Sequence, residues 1–360
     1  MRSCCTERAE ITGAATTGPC GLAQQSRFGE RGVSISSGKR ILVTGGGGFI
    51  GSHLAKRLVG LGHQVTILDN FSTGRRSNLE SLASDVEIIE GDIQSYERAF
   101  HAVRGCEIVF HEAALPSVPR SVQDPLTSTA SNVIGTLNVL LAARDAEVRR
   151  VVYASSSSVY GSNPTLPKSE DMATLPISPY AVAKLAGEGY CRSFGVVYGL
   201  EAVAIRYFNV FGPRQDPRSM YAAVIPNFIS ALLASESPII FGDGEQSRDF
   251  TYVDNVIDAN LLAMDADSVA GHVYNVACGE SATLNELVAS LNEIIGTSIK
   301  PVYRPPRSGD VKHSLADISR ARADLDYKPT VSFREGLERT VEAIREDPAQ
   351  HADLLSSVGS

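Results

Sequence analysis

The sequence predicts an α/β fold: a doubly wound parallel sheet with a smaller α/β lobe beside it. Three observations predict it. Short apolar strands alternate with helical stretches from Lys39 to Tyr207, which implies parallel strands joined by crossovers. The first strand, Arg40-Ile41-Leu42-Val43-Thr44, runs into Gly45-Gly46-Gly47-Gly48-Phe49-Ile50-Gly51 and then a stretch of helical periodicity, Ser52 to Leu58. The second strand, Gln64 to Leu68, ends at the acidic Asp69.

Each element has its own reason. Gly45, Gly48 and Gly51 form G-x-x-G-x-x-G between a strand and a helix. Glycines permit the tight turn and the close approach of backbone to a pyrophosphate. The helix amino terminus adds free N–H groups and a favourable dipole, the Rossmann-type arrangement. An acidic residue at Asp69, about 20 residues on, bonds ribose hydroxyls and repels a 2′-phosphate. NAD is therefore expected over NADP, with Arg75 and Arg76 the nearby residues that argue otherwise. Val86 to Ile93 is a third strand that brings Asp92 to the adenine. Glu107 to His111 is a fourth, followed by Glu112-Ala113-Ala114, whose small alanines let a cofactor lie close. Asn132 to Ala143 is apolar at helical spacing, Val151 to Ala154 is a fifth strand, Tyr180 to Tyr198 a long helix and Val203 to Tyr207 a sixth strand. Beyond Asn209 the pattern is irregular. Gly212 to Arg218 reads as a loop, Ala222 to Ala234 as a helix, Ile239 to Gly242 and Arg248 to Val253 as strands, and Thr283 to Ile295 as a helix behind a Thr cap.

The expected domains are a dinucleotide-binding domain at 39–208 and a ligand lobe mainly at 209–345. Segments near 248–256 and 272–278 return to the first domain. Residues 346–360 form a tail, and 1–38 form another, rich in Ser, Thr, Gly and Ala, that reads as disordered. The leading tail has no continuous apolar stretch of the secretory kind. An over-long start or a weak targeting tail are its other readings.

With 360 residues and 43% hydrophobic content the chain can bury a large core. Its net charge of -8 argues against a nucleic-acid partner, which a basic surface would serve. No continuous apolar run approaches the roughly 18 residues of a membrane span, so no membrane partner is expected. The six cysteines lack paired metal-ligand spacing. They read as reduced thiols of a cytoplasmic protein, and no metal is expected.

The chemistry concentrates in Ser155-Ser156-Ser157-Ser158-Val159-Tyr160-Gly161 and Ser178-Pro179-Tyr180-Ala181-Val182-Ala183-Lys184. The first closes a strand, so its hydroxyls belong at a carboxyl end. In the second, Pro179 suits a helix's first turn, which puts Tyr180 and Lys184 on one face. A free phenol ionises near pH 10, too high for a base at neutral pH. A lysine ammonium nearby is expected to lower that value, and a serine hydroxyl to relay the proton. Such a set removes a proton from a carbinol while its hydride leaves. Either motif alone is more often an ordinary helix face or loop; their order downstream of the glycine turn makes the case.

From about Arg40 to Gly336 the chain resembles the extended short-chain dehydrogenase/reductase family. The resemblance rests on Thr44 to Gly51, Leu68-Asp69-Asn70, Gly91-Asp92-Ile93, His111 to Ala114, the serine run, Ser178 to Lys184, Arg206 to Gly212, and Arg248-Asp249-Phe250. Within the family it is most similar to the nucleotide-sugar 4-epimerases, above all those of UDP-N-acetylglucosamine and UDP-N-acetylgalactosamine, through Ala113 to Ser121, Phe211 to Pro217 and Gly309 to Asp317. The resemblance implies NAD, tightly bound and not consumed, held by Gly45, Gly48, Phe49, Ile50, Gly51, Asp69, Asn70, Ser72, Thr73, Gly74, Asp92, Ile93, Ala113, Ala114, Asn132, Tyr180, Lys184 and Tyr207. It implies Ser156, Tyr180 and Lys184 as the catalytic set. A UDP-sugar would meet Ser117, Arg120, Ser156, Ser157, Ser158, Asn209, Gln215, Ala223, Val224, Arg248, Arg307, Asp310 and Ser314, with Arg248 and Arg307 on the diphosphate.

Ser314 falls where the family gates pocket size; a serine leaves space for an N-acetyl group, and Ser117, Ser158 and Gln215 line that space. Pro116 and Glu112 depart from the family's usual residues. The implied reaction is C4 epimerisation through transient oxidation to a 4-keto sugar. The alternatives are a UDP-glucuronate 4-epimerase or decarboxylase and, in another class, a catalytically silent NAD and UDP-sugar sensor, against which Ser156, Tyr180 and Lys184 all argue. A dehydratase is disfavoured because Ser157 and Ser158 stand where an Asp-Glu pair would. The helices at Asn132–Ala143 and Tyr180–Tyr198 match those through which relatives form homodimers.

Overall fold

The structure, a computed structural model, describes residues 38–215, 224–306 and 312–346. The order opens with strand β1 (Arg40–Thr44), helix α1 (Phe49–Gly60), β2 (Gln64–Asp69), β3 (Val86–Glu90), α2 (Tyr96–Val103) and β4 (Ile108–His111). Short helices α3 (Val118–Gln123) and α4 (Pro125–Thr129) lead through a π-helical turn into α5 (Gly135–Asp145), then β5 (Arg150–Ser156). Next come α6 (Pro179–Tyr198), β6 (Glu201–Tyr207), β7 (Val210–Phe211), α7 (Val224–Leu233), β8 (Ile239–Phe241), β9 (Ser247–Arg248), β10 (Thr251–Tyr252) and α8 (Val253–Asp265). The chain continues with β11 (Val273–Val276), β12 (Ala282–Thr283), α9 (Leu284–Ile295), β13 (Val302–Arg304), α10 (Ser319–Leu325) and α11 (Phe333–Glu346).

The main sheet has seven strands in the order β11-β6-β5-β4-β1-β2-β3. Every pairing in it is parallel. The predicted doubly wound α/β class is therefore the observed one. The order reverses at β1, between β2 and β4, and a crevice opens there at the strands' carboxyl ends. The inner strands β1, β4 and β5 are almost wholly buried because helices cover both faces. Leu42, Val109 and Val151 from the strands meet Ala99, Val139 and Cys191 from α2, α5 and α6 in one buried cluster.

Three caps explain helix starts. Ser178 Oγ accepts from Ala181 N ahead of α6, with Pro179 at its first position. Asp124 accepts from Thr127 N, which begins the helical run at Pro125, earlier than the periodicity from Asn132 indicates. Thr283 and Glu286 form a reciprocal capping box on α9. The run Pro125–Asp145 is, among the described residues, the one helix long and apolar enough to cross a bilayer; half of it is buried inside the fold, against α2 and α6.

Two readings change. The strand expected over Arg248 to Val253 divides into β9 and β10, and Val253 already opens α8. That helix was unseen because Val253, Val256, Ile257, Ala259, Asn260, Leu261 and Ala263 are all buried, which erases amphipathic contrast. The smaller sheets, β10 with β7, β12 with β9 and β13 with β8, have two strands each. The described residues form a single contact unit.

Candidate active site

One cavity of about 1570 Å³ lies along the carboxyl ends of β1, β2, β4, β5 and β6. A single small-molecule site usually takes roughly 300–1,000 Å³, so two ligands fit here. Its first half is built from backbone. Gly45 has φ +70°, and a Cβ there would lie 2.7 Å from Ala113 Cα. At Gly51 a Cβ would lie 2.3 Å from Gly45 O. Neither position admits a side chain, which holds the turn and the Ala113 segment close together. No side chain caps α1, so the N–H groups at Phe49, Ile50 and Gly51 face the cavity.

Asp69 is 8% exposed; Oδ2 accepts from Gly47 N at 2.8 Å and Oδ1 from Phe71 N at 2.7 Å. Burial raises its carboxyl above the usual range against these two bonds. Asn70 Nδ2 donates to Asp92 Oδ2 at 2.8 Å. Asn70, Ser72, Thr73, Gly74, Asp92, Ile93, Ala113 and Ala114 all line the cavity with Gly45, Gly48 and Asp69. Arg75 also lines it, whereas Arg76 is paired with Glu90 and stacked over Phe71. Asn132 stands behind the wall, its amide bonded to Leu115 N and O, so it shapes the cavity without lining it.

The residues expected to react sit at the centre. Ser156 ends β5, and its Oγ accepts from Ser158 N at 3.2 Å. Tyr180 begins α6, where its backbone N donates to Ser121 Oγ at 3.1 Å. Lys184 is buried behind Tyr180, outside the lining, with Nζ donating to Ala154 O at 2.6 Å and lying 6.0 Å from the Tyr180 ring centre. Beneath them Glu188 takes Ser155 Oγ and a two-pronged bond from Arg206, an interior ion pair that fixes the end of β5 against α6.

The charge state differs from the sequence expectation. Burial pushes the Tyr180 phenol up, to about 12, Ser156 pulls it down and Glu112 pushes it further up. Burial also pulls Lys184 down to about 8. Within the chain alone, desolvation outweighs the Ser156 hydrogen bond, and the phenol is neutral at pH 7.

The second half is built from loops. Ser117, Arg120, Ser157, Ser158, Asn209, Gln215, Arg248 and Ser314 line it. Arg248 Nη1 donates to Ser247 O and Lys312 O. Gln215 Nε2 donates to Val210 O, but its Oε1 has no partner; neither do Ser158 Oγ and Arg214 Nη1, all three buried. Val224 opens α7 and is not among the lining residues. Ala223, Arg307 and Asp310 lie outside the described residues. Sequence reasoning passed over Arg214, Lys168 and His313, which also line the cavity. Arg214 lay within the Phe211–Pro217 stretch and His313 beside Ser314; Lys168 carried no local signal. Tyr207 lines the cavity, yet its Oη is engaged by Glu112 at 2.7 Å.

Residues 41–277 match the model of the NAD dependent epimerase/dehydratase family. The chain belongs to this family. A UDP-glucose 4-epimerase of Mycolicibacterium smegmatis is 42% identical over 314 residues, 85% of this chain and 98% of the relative. The solved UDP-N-acetylglucosamine 4-epimerase from Methanobrevibacter ruminantium M1, in complex with UDP-N-acetylmuramic acid, is 44% identical with a TM-score of 0.83, over 86% of this chain and 99% of that one. A UDP-glucuronic acid 4-epimerase from Bacillus cereus, with UDP-glucuronic acid and NAD, is 34% identical with a TM-score of 0.79, over 85% and 99%. The epimerase fold thus extends across nearly everything after the leading tail. The chain is an NAD-dependent enzyme, an epimerase, and the glycine turn, uncapped α1 and buried Asp69 fit that cofactor.

Proposed function

We propose that this epimerase interconverts UDP-N-acetylglucosamine and UDP-N-acetylgalactosamine at C4. The coarser activity, 4-epimerisation of a UDP-sugar, is that of its relatives. The observation that carries the finer reading is the trio of partnerless buried polar atoms, Ser158 Oγ, Gln215 Oε1 and Arg214 Nη1, in the half of the cavity that Ser314 leaves roomy. Buried polar groups are bonded as a rule, so these three await a polar ligand group such as an acetamide.

NAD, when bound, supplies the reversible hydride exchange that epimerisation needs. Tyr180 Oη takes the proton of the 4-hydroxyl as C4 is oxidised and returns it to the 4-oxygen when the turned keto sugar is reduced on its other face, directly or through Ser156 Oγ. Lys184, held by Ala154 O, supplies positive charge behind the phenol. Arg248 meets the diphosphate, which keeps the nucleotide fixed while the sugar turns.

The test is separate incubation with UDP-N-acetylglucosamine, UDP-glucose and UDP-glucuronate, with products resolved. Turnover of the N-acetylated pair above the other two supports the reading. Preference for the glucuronate supports the second reading, which the Bacillus cereus relative favours.

A homodimer is proposed from the helices at one edge. Leu126, Val122, Val182 and Val196 leave large apolar side chains exposed, Leu126 at 83% and Val196 at 81%. Light scattering of the wild type against Leu126→Lys checks it, the variant shifting to monomer. A cytoplasmic location is proposed with it, from cysteines that read as reduced thiols.

A further inference from the structure

The loop that follows β7 brings Arg214 and Gln215 to the sugar side of the cavity. Its backbone has an uncommon shape. Asn209 has φ +35°, Gly212 φ +155° and Arg214 φ +67°. Positive φ is uncommon for Asn and strained for Arg, and such strain persists only where the surroundings fix it. At one end the pairing of β7 with β10 fixes Val210 and Phe211. At the other end the hold comes from helix α1. His53, one turn on from Phe49, places Nε2 3.0 Å from Pro213 O. A carbonyl only accepts, so Nε2 carries the proton and donates it. The His53 ring stands edge-on to Phe49, 5.8 Å between centres. Phe49 also touches the loop: a Cβ at Gly212 would lie 3.5 Å from Phe49 Cε2 and 2.8 Å from Val253 Cγ1. Burial pulls the imidazole down to about 4; the Pro213 bond and Asp254 oppose this, and Arg214 and Lys56 add to it, so the ring is neutral at pH 7. One side chain thus joins the helix that faces the cofactor half to the loop that lines the other half.

We propose that His53 is a positioning residue for sugar binding: from the cofactor helix, through Pro213, it holds Arg214 and Gln215 where they meet the sugar. The inference rests on the proposed assignment of that half of the cavity to the sugar.

Arg214 follows Pro213 directly, and Gln215 is turned back by its own bond to Val210 O at 3.2 Å. Without the Pro213 bond the strained peptide at Arg214 is free to relax toward negative φ, which carries both side chains away from the cavity. Ser156, Tyr180 and Lys184 belong to β5 and α6, which this bond does not touch. The glycine turn keeps its own contacts with Ala113 and Gly45. The signature of His53 is therefore a change in KM with kcat and NAD content kept.

The experiment compares the wild type, His53→Phe and His53→Gln as NAD-loaded full chains. Phenylalanine keeps a ring beside Phe49 and removes the donor, whereas glutamine sets an amide N–H near the place of Nε2. The KM for UDP-N-acetylglucosamine should rise roughly 5- to 20-fold in His53→Phe, the scale of one buried hydrogen bond. Its kcat should stay within about threefold of the wild type. NAD retained through gel filtration should not change, and His53→Gln should recover most of the KM. An unmoved KM in a folded His53→Phe overturns the proposal. So does an equal rise in His53→Gln, which would assign the effect to packing, and so does a joint loss of kcat and NAD, the mark of a loosened α1. Should His53→Phe not fold, His53→Asn takes its place under the same readouts, its amide being one methylene short of the glutamine's reach to Pro213 O. A wild type that favours UDP-glucose or UDP-glucuronate sinks the finer reading of function, and the same comparison made with that sugar still decides on His53. With no turnover of any of the three, calorimetric affinity for them replaces KM, and an unchanged affinity in His53→Phe overturns the proposal.

Discussion

The two halves of the cavity differ in how they satisfy their polar groups. On the cofactor side Asp69, Asn70 and Asn78 are bonded within the chain, to Gly47 N, Phe71 N, Asp92 and Gly47 O. On the sugar side Ser158, Arg214 and Gln215 each keep a buried atom without a partner. The first half is preorganised and holds its shape alone. The second keeps hydrogen-bonding capacity in reserve, which is where a choice between sugars is made, because unmatched buried groups penalise the wrong ligand.

Four substitutions or conditions test that contrast. Tyr180→Phe, at the junction of the halves, should lower kcat roughly 100- to 10,000-fold while UDP-sugar binding by calorimetry persists. Gly51→Ala attacks the preorganised half: its Cβ would lie 2.3 Å from Gly45 O and 2.9 Å from Gly46 Cα. The turn must shift, costing about 1–3 kcal/mol, and NAD retained through gel filtration should fall. An unchanged NAD content would show the turn to be more pliable than the geometry allows. Ser314→Tyr fills the open half. It should lower kcat/KM for the N-acetylated sugar relative to UDP-glucose by roughly 10- to 200-fold and leave NAD content untouched. A uniform loss for both sugars would break the assignment of that half.

The smallest effect concerns pH and the cofactor side. His111 is buried between Thr44 Oγ1 and Thr136 Oγ1, and burial followed by the Lys184 charge pulls it down to about 3. Its folded value lies below the unfolded one, so the unfolded chain takes the proton first. The contribution to stability is whole above about pH 6.5 and is lost as pH falls toward 3. Urea midpoints should drop between pH 7 and pH 5, and His111→Gln should flatten that drop.

Much of this contrast was legible in the chain. The glycine spacing, the acidic end of β2 and the four-residue step from Tyr180 to Lys184 are local patterns, and each landed on the element expected. Val253 to Asp265 was missed because a helix buried all round carries no periodic contrast. Asn132 was placed correctly on its helix, but its amide turns to Leu115. Sequence spacing sets a face and leaves the partner open.

By itself the sequence determined the sheet, the dinucleotide turn and the places of the proposed reacting groups on their elements, because short-range backbone geometry and side-chain periodicity decide them. Only the tertiary structure decided their protonation. Glu112 meets Tyr207 across 95 positions of chain, and the desolvation that keeps Tyr180 a neutral phenol arises from segments far apart in sequence. Desolvation depends on everything within a few ångströms, and folding alone brings those groups together.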